Sequence, residues 1–271
     1  MEIQFWGVRG SIPTPQGDKL GYGGNTPCIE VKLPGEDVLL LDAGTGIRGI
    51  GFKLINEKSS RNPEVHLFLS HFHWDHIQGF PFFFPILSDK FTINIYSGVP
   101  EERLKEILKA QMQRPAFPLD FHALPSTIRL IQIYRDPVYI HDTRVIPFKL
   151  NHPHGATGYR IESEGSVLVY ASDHEHGDPE ADLSVREHAK GADALVFDTH
   201  FTPEEYPSVS GWGHSTWKEA IKVCRESAVK RLFLFHHNPD YSDQKIDEIC
   251  AQARLEFPSV QAAKEGLIVR I

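Results

Sequence analysis

Six consecutive residues carry the densest chemistry in this chain. His71-Phe72-His73-Trp74-Asp75-His76 gathers three imidazoles and a carboxylate directly after the apolar run EVHLFLS (64–70). Imidazole and carboxylate are natural ligands of zinc and of neighbouring divalent metals such as manganese and iron. In an extended segment alternate side chains share a face, so His71 and His73 can reach one metal. Asp75 and His76 follow where the chain turns, with a short helix predicted over 75–79, and the bend aims them at a second point nearby. A solvated loop with chance histidines is the competing explanation. The position at a strand end, where sites are commonly built, weighs against it.

Four ligands do not complete two coordination spheres, and three later positions can supply the rest. His152 follows the predicted strand TRVIPFKL, with His154 as the competing choice. Asp173 ends the apolar strand in SVLVYASDHEH, where a carboxylate can bridge two cations. A turn or N-cap aspartate is the plainer explanation, and His174 and His176 stand beside it as further candidates. His236 and His237 both end RLFLFH, and spacing does not choose between them. A second pair has the makings of a general acid. Asp198 ends ALVFD and His214 precedes a helix start, and a carboxylate beside an imidazole tunes its pKa towards neutrality. A structural histidine at the helix start is the alternative.

These residues must be held by strands that end close together. Residues 2–8, 27–33, 37–42, 64–70 and 91–97 read as strands, with a Pro-Gly turn at 34–35 and a helix near 46–57. Leu104, Ile107, Leu108 and Met112 recur at helical spacing over 99–113, and the Pro-rich segment 114–127 reads as a loop. TIRLIQI, TRVIPFKL and GYRIESEGSVLVYASD read as strands and hairpins. Helices are then predicted over 180–190, 213–227 (Ser215 as N-cap) and 242–257, alternating with strands 192–198, 231–236 and the final GLIVRI. Strand hairpins joined by β-strand–helix units imply sheets with helices packed outside them. Residues 1–271 show no repeat or linker and read as one hydrolase domain.

The His-x-His-x-Asp-His run, the Asp42-Ala-Gly-Thr turn, and the later His152, Asp173 and His236/His237 positions together resemble the metallo-β-lactamase superfamily over nearly the whole chain. The resemblance implies a four-layer α/β/β/α sandwich with two divalent metal ions at one edge. Zinc is the first expectation, with manganese and iron as alternatives. It further implies that His71, His73 and His152 hold one metal, that Asp75, His76 and His236 hold the other, with His237 as the alternative, and that Asp173 bridges. The second half is similar to the phosphodiesterase branch that includes the transfer-RNA 3′-processing endonuclease. There a His-Ser-Thr at a helix start, here His214-Ser215-Thr216, works with an upstream acidic residue, here Asp198. The catalytic set it implies is Asp75, Asp198 and His214. FWGVRGSIPTP and YGGNTPC resemble stand-alone bacterial metal-dependent hydrolases.

Two departures bear on substrate. Aspartate stands at 198 where the processing enzymes commonly carry glutamate, and no long arm for gripping tRNA is evident between Asp75 and His152. The net charge is −8, whereas a dedicated nucleic-acid binder usually carries a basic footprint. A small phosphodiester such as a cyclic nucleotide is therefore the expected substrate, ahead of a large nucleic acid. The Pro-rich segment, with Phe117 and Phe121, is a candidate pocket wall. Alternatives are a tRNA-processing endoribonuclease, a lactone, thioester or β-lactam hydrolase, and a non-catalytic metal-binding module. The leaving-group acid speaks against the lactone, thioester or β-lactam hydrolase, and the full ligand set with that acid against the non-catalytic module.

The chain has 41% hydrophobic and 24% charged residues, an ordinary globular balance. It lacks a run of ~18 apolar residues for a membrane span and the pattern of a signal peptide. Cys28, Cys224 and Cys250 form no C-x-x-C pair and read as reduced thiols, so a cytoplasmic location is expected. A homodimer is the expected assembly, from the family and from the frequency of twofold oligomers.

Overall fold

The computed structural model describes residues 1–33, 37–57 and 63–271. The Pro-Gly turn read at 34–35 lies outside the described residues. The first half runs Glu2–Gly7 (β1), Cys28–Lys32 (β2), Val38–Leu41 (β3), Ile47–Asn56 (α1), Glu64–Phe68 (β4), Trp74–Ile77 (α2), Thr92–Ser97 (β5), Glu101–Gln111 (α3) and Thr127–Gln132 (β6). The second runs Val138–Ile140 (β7), Thr143–Leu150 (β8), Ala156–Ser163 (β9), Ser166–Ala171 (β10), Pro179–Ala189 (α4), Ala194–Asp198 (β11), Tyr206–Val209 (α5), Trp217–Glu226 (α6), Leu232–Phe235 (β12), Asp243–Glu256 (α7), Val260–Ala262 (β13) and Ile268–Arg270 (β14). Two seven-stranded sheets result, ordered β14-β1-β2-β3-β4-β5-β6 and β13-β12-β11-β10-β9-β8-β7.

Apolar residues on both faces of the central strands explain the layering. Along β3, Leu39 and Leu41 enter the core between the sheets while Val38 and Leu40 face α1 and α3. Along β12, Phe233 and Phe235 fill the inter-sheet core while Leu232 and Leu234 face α4, α6 and α7. Side chains alternate across a strand, so burying both faces gives continuous apolar runs instead of an apolar–polar alternation. Three cores follow, helix–sheet, sheet–sheet and sheet–helix, which is the α/β/β/α sandwich.

The outer helices are built for this role. α6 is capped by the Thr216 hydroxyl, which accepts from the Glu219 N–H, and buries Trp217, Ala220, Ile221 and Cys224 on one stripe. α7 is capped by Ser242 and buries Ile246, Ile249, Cys250 and Ala253 at the same spacing. The predicted start of α6 is corrected: Ser215 does not cap it, because its hydroxyl pairs with Nδ1 of His176 at 2.8 Å and Thr216 takes the cap. The three cysteines are buried free thiols.

β3 to β6 pair in parallel, as do β10 to β13. Parallel strands present their C-terminal ends along one edge, and in open α/β sheets that edge is where ligands bind. Asp42, Ser70–His71, Asp173, Asp198 and His236 all lie at or just beyond such ends.

Candidate metal centre and active site

The edge is shaped by backbone that few side chains tolerate. Asp42, Asp173 and His236 all adopt left-handed conformations, with φ of 61°, 61° and 58°. For a residue with a Cβ this costs roughly 1–2 kcal/mol, and aspartate tolerates it better than most. Each sits one or two residues past a strand and turns its side chain into the space between the sheets.

Five overlapping groups of donor atoms form there among the described residues, two of them the expected metal positions and two others drawing in His214. The first expected group joins His71, His73 and His152. The Gly213 carbonyl lies 2.7 Å from Nδ1 of His152 and can only accept, so Nδ1 carries the proton and Nε2 presents a lone pair. That lone pair faces Nδ1 of His73 at 3.0 Å. Nε2 of His71 is buried beside them without a hydrogen-bond partner among the described residues. The second group joins Asp75, His76 and His236. Oδ2 of Asp75 lies 3.4 Å from Nε2 of His76 and 3.1 Å from Nε2 of His236, and the two ring nitrogens are 3.2 Å apart. Asp173 stands between the groups. Its Oδ2 is 3.0 Å from Nε2 of His76, and its Oδ1 lies 3.4 Å from Nε2 of His236, 3.7 Å from Nε2 of His152 and 4.0 Å from Nε2 of His71. Nitrogen lone pairs converging with buried carboxylates, with Nε2 of His71 and Nδ1 of His236 unpartnered among the described residues, are the donor set that divalent cations require.

A further layer orients these donors. Asp42 accepts from the Ser70 N–H (2.7 Å), the Ser70 hydroxyl (2.8 Å), the Tyr170 hydroxyl (2.6 Å) and Nδ1 of His76 (2.8 Å). That last bond turns Nε2 of His76 towards Asp75 and Asp173. The Ser11 N–H donates to Oδ2 of Asp75 at 2.7 Å. Gly10, next to it, must be glycine, since a Cβ there would fall 2.5 Å from the His236 ring. In the metal-free protein, burial holds His71 well below its ordinary pKa. Burial opposes charge on His76 as well, but Asp173, Asp75 and Asp42 outweigh it and hold that ring well above its ordinary value.

The Asp198–His214 pair lies beside this cluster. Oδ2 of Asp198, fully buried, accepts from Nδ1 of His214 at 2.7 Å. Burial disfavours a charged His214, yet Asp198, by its charge and its hydrogen bond, pushes the imidazole up to about 9. Nδ1 of His214 is 3.7 Å from Oδ1 of Asp173, and its ring stacks 5.0 Å from that of His236.

The competing candidates fall elsewhere. His237 donates from Nε2 to the Ala263 carbonyl at 2.8 Å and packs against Tyr22. His174 pairs with Asp182, and His176 with Ser215. His154 is exposed, its ring 5.9 Å from that of His73.

Two residues that sequence reasoning missed join the site. His200 donates from Nδ1 to the His236 carbonyl and lies flat on His214 with centroids 4.4 Å apart; burial, with His214 and His236 nearby, pushes it down to about 3. The signal was the Asp-Thr-His order after a strand, which places His200 on the same side as Asp198. Glu175 accepts from the Gly211 N–H (2.6 Å), the Gly213 N–H (2.8 Å) and the Tyr206 hydroxyl (3.0 Å), fixing the loop that delivers His214. Gly213 has φ +91°, and a Cβ there would fall 2.3 Å from Nδ1 of His152.

A cleft of about 1030 Å³ opens beside the first donor group, walled by Phe72, Trp74, Phe82 and Phe117 with Ile77 and Ile107. Phe117 therefore lines it as expected. Phe121 does not: it is buried in the core beneath, its ring 6.4 Å from that of Phe80, because its side chain turns inward with the Leu104–Leu108 stripe of α3.

Comparison with known proteins agrees with this architecture. The chain is 28% identical to ribonuclease Z of Thermoplasma volcanium, an alignment covering 98% of this chain and 95% of that one. The short form of human tRNase Z superposes with a TM-score of 0.71 at 16% identity, over 100% of this chain and 99% of the other. Zinc-bound PqqB from Methylobacterium extorquens superposes with a TM-score of 0.73 at 16% identity, over 100% of both chains. The family described as "Beta-lactamase superfamily domain" matches residues 38–237, which span the whole donor set from Asp42 to His236. The chain belongs to that superfamily and is a metal-dependent hydrolase of the metallo-β-lactamase fold.

Proposed function

We propose that this chain hydrolyses small phosphodiesters, cyclic nucleotides among them, with two divalent cations held by His71, His73, His152, Asp75, His76 and His236 and bridged by Asp173. Zinc is the first expectation, supported by the nitrogen-rich donor set, with manganese and iron as alternatives. Bound there, the cations supply a water of lowered pKa as nucleophile and neutralise charge developing on the phosphoryl oxygens. The chain's own residues do the rest. Asp75, Asp173 and the imidazoles would hold the cations in place and so set where the phosphoryl group binds. Nε2 of His214 gives its proton to the departing ester oxygen, while Asp198 holds the opposite nitrogen and stabilises the charged ring.

The observation that carries this reading is the 2.7 Å Asp198–His214 bond against the donor cluster. A poor alkoxide leaving from phosphorus needs an acid, whereas the thiolate of a thioester leaves without one. The small substrate is supported by the net charge of −8 and by the cleft's single guanidinium, Arg103, which is ion-paired to Glu106 at 3.1 Å. A tRNA 3′-processing activity is the second reading, favoured by the full-length match to a protein named ribonuclease Z. No helix among the described residues is long and apolar enough to cross a membrane. A cytoplasmic homodimer is the expected form.

The test is competition between substrates. Metal-loaded protein is given a 3′,5′-cyclic nucleotide, bis(p-nitrophenyl) phosphate and a tRNA precursor with a 3′ trailer. Higher kcat/KM on a small diester supports the first reading. Trailer removal with a far higher kcat/KM replaces it with the second.

A further inference from the structure

The cleft beside the metal centre fits a particular part of the substrate. Its walls are aromatic and aliphatic, and several of the rings stand out in solvent: Trp74 is 78% exposed and Phe82 is 55% exposed. Large side chains left exposed around a concavity are an apolar binding surface, since isolated surface rings carry no such shape. Phe82 and Phe117 meet edge to face at 5.6 Å, which holds both rings open on the cleft. The cleft is continuous with the donor cluster through His71 and His73, whereas Asp198 and His214 do not line it.

We propose that the cleft binds an apolar or aromatic ester substituent of the phosphodiester, the one that stays on phosphorus after hydrolysis. This rests on the phosphodiesterase reading above and deepens it. The oxygen that departs must meet His214, and the cleft lies on the side that His214 does not line. The substituent in the cleft is therefore retained. In the reaction, water adds its oxygen to phosphorus, the P–O bond to the departing group breaks, and that group leaves with a proton. From an acyclic diester the products are one alcohol and one phosphomonoester carrying the cleft-bound substituent, and from a cyclic diester a single phosphomonoester that carries the freed hydroxyl as well. Among the described lining residues the one guanidinium, Arg103, sits beside Glu106 at 3.1 Å, so the substituent is expected to be uncharged at that point.

The test keeps the leaving group constant and varies the retained one. Metal-loaded protein is given methyl, phenyl and 2-naphthyl p-nitrophenyl phosphate, with p-nitrophenolate released from each. The proposal expects kcat/KM to rise from methyl to phenyl to naphthyl by about tenfold or more, the discrimination that even one methylene commands in an apolar pocket. Phe117→Ala and Phe82→Ala should each lower the phenyl-to-methyl ratio. A ratio taken on one preparation is independent of the fraction folded. Equal kcat/KM for methyl and phenyl esters overturns the proposal and leaves the phosphodiesterase reading standing. No turnover of any ester by metal-loaded protein overturns both.

Discussion

Nδ1 of His214 donates to Oδ2 of Asp198 across 2.7 Å, so Nε2 is the ring nitrogen left with a proton to give. In the metal-free protein the pair raises His214 to about 9, above the ordinary 6.5. A raised folded-state pKa contributes stability that is fully present below the unfolded value and is lost as pH rises through the folded one. That window runs from about pH 6.5 to about pH 9. Asp198→Asn should lower the His214 titration in the metal-free protein from about 9, with Asp173 and Asp75 still raising it against burial, as followed by NMR of the ring proton. An unchanged titration would sink the assignment of Asp198 as the cause.

Asp42 makes four hydrogen bonds behind the cluster, one of them to Nδ1 of His76. Partners of this kind orient a ligand, and their loss typically costs about 10- to 100-fold in metal affinity. Asp42→Asn should weaken binding of one metal equivalent by that factor in a chelator competition. Two equivalents held as tightly as in the unaltered protein would contradict the role.

Glu175 touches none of the donor atoms, yet it ties Gly211, Gly213 and Tyr206 into the loop that carries His214. A shift of about 1 Å in a reacting group can cost on the order of 100-fold. Glu175→Ala should therefore lower kcat on a cyclic nucleotide by about 10- to 100-fold and lower it less on a p-nitrophenyl ester, which departs without an acid. Glu175→Gln, which keeps one acceptor oxygen, should recover part of the loss. Equal losses on both esters would mean a purely structural role.

Removing metal should destabilise the protein. The donors are buried, and Asp173 is held far below its ordinary pKa by His236, His76 and His71 against the cost of burial. A cation bound to the folded state alone adds about 4 kcal/mol at a thousandfold excess over Kd, or roughly 10 °C in Tm for a chain of this size. Calorimetry with and without a chelator measures it. An unchanged Tm would mean that the cluster binds no metal in the folded protein.

Much of this was legible in the sequence because each chemical residue ends an apolar strand. The runs before Asp42, His71, Asp173, Asp198 and His236 are buried on both faces, so their ends mark the C-terminal edges of the two sheets. The choice between His236 and His237 was not legible. It depends on the left-handed backbone of His236 and on a hydrogen bond to the distant Ala263, and neither leaves a local signal. Glu175 was hidden for a related reason, since its partners lie more than thirty residues away. The cap of α6 moved from Ser215 to Thr216 because His176, from another loop, claims the Ser215 hydroxyl. Phe121 went inward because the pattern of a Pro-rich loop does not say which ring faces the core.

The most direct test of the central claim is hydrolysis by metal-free protein with zinc or manganese added back, beside His214→Ala, on two esters. One is bis(p-nitrophenyl) phosphate, whose leaving group needs no proton, and the other is a 3′,5′-cyclic nucleotide, whose alkoxide does. The account predicts turnover of both on metal addition, and in the variant a loss of about 100-fold or more on the cyclic nucleotide with a much smaller loss on the activated ester. Metal-loaded protein that turns over neither ester, or a variant that keeps full activity on the cyclic nucleotide, would contradict it.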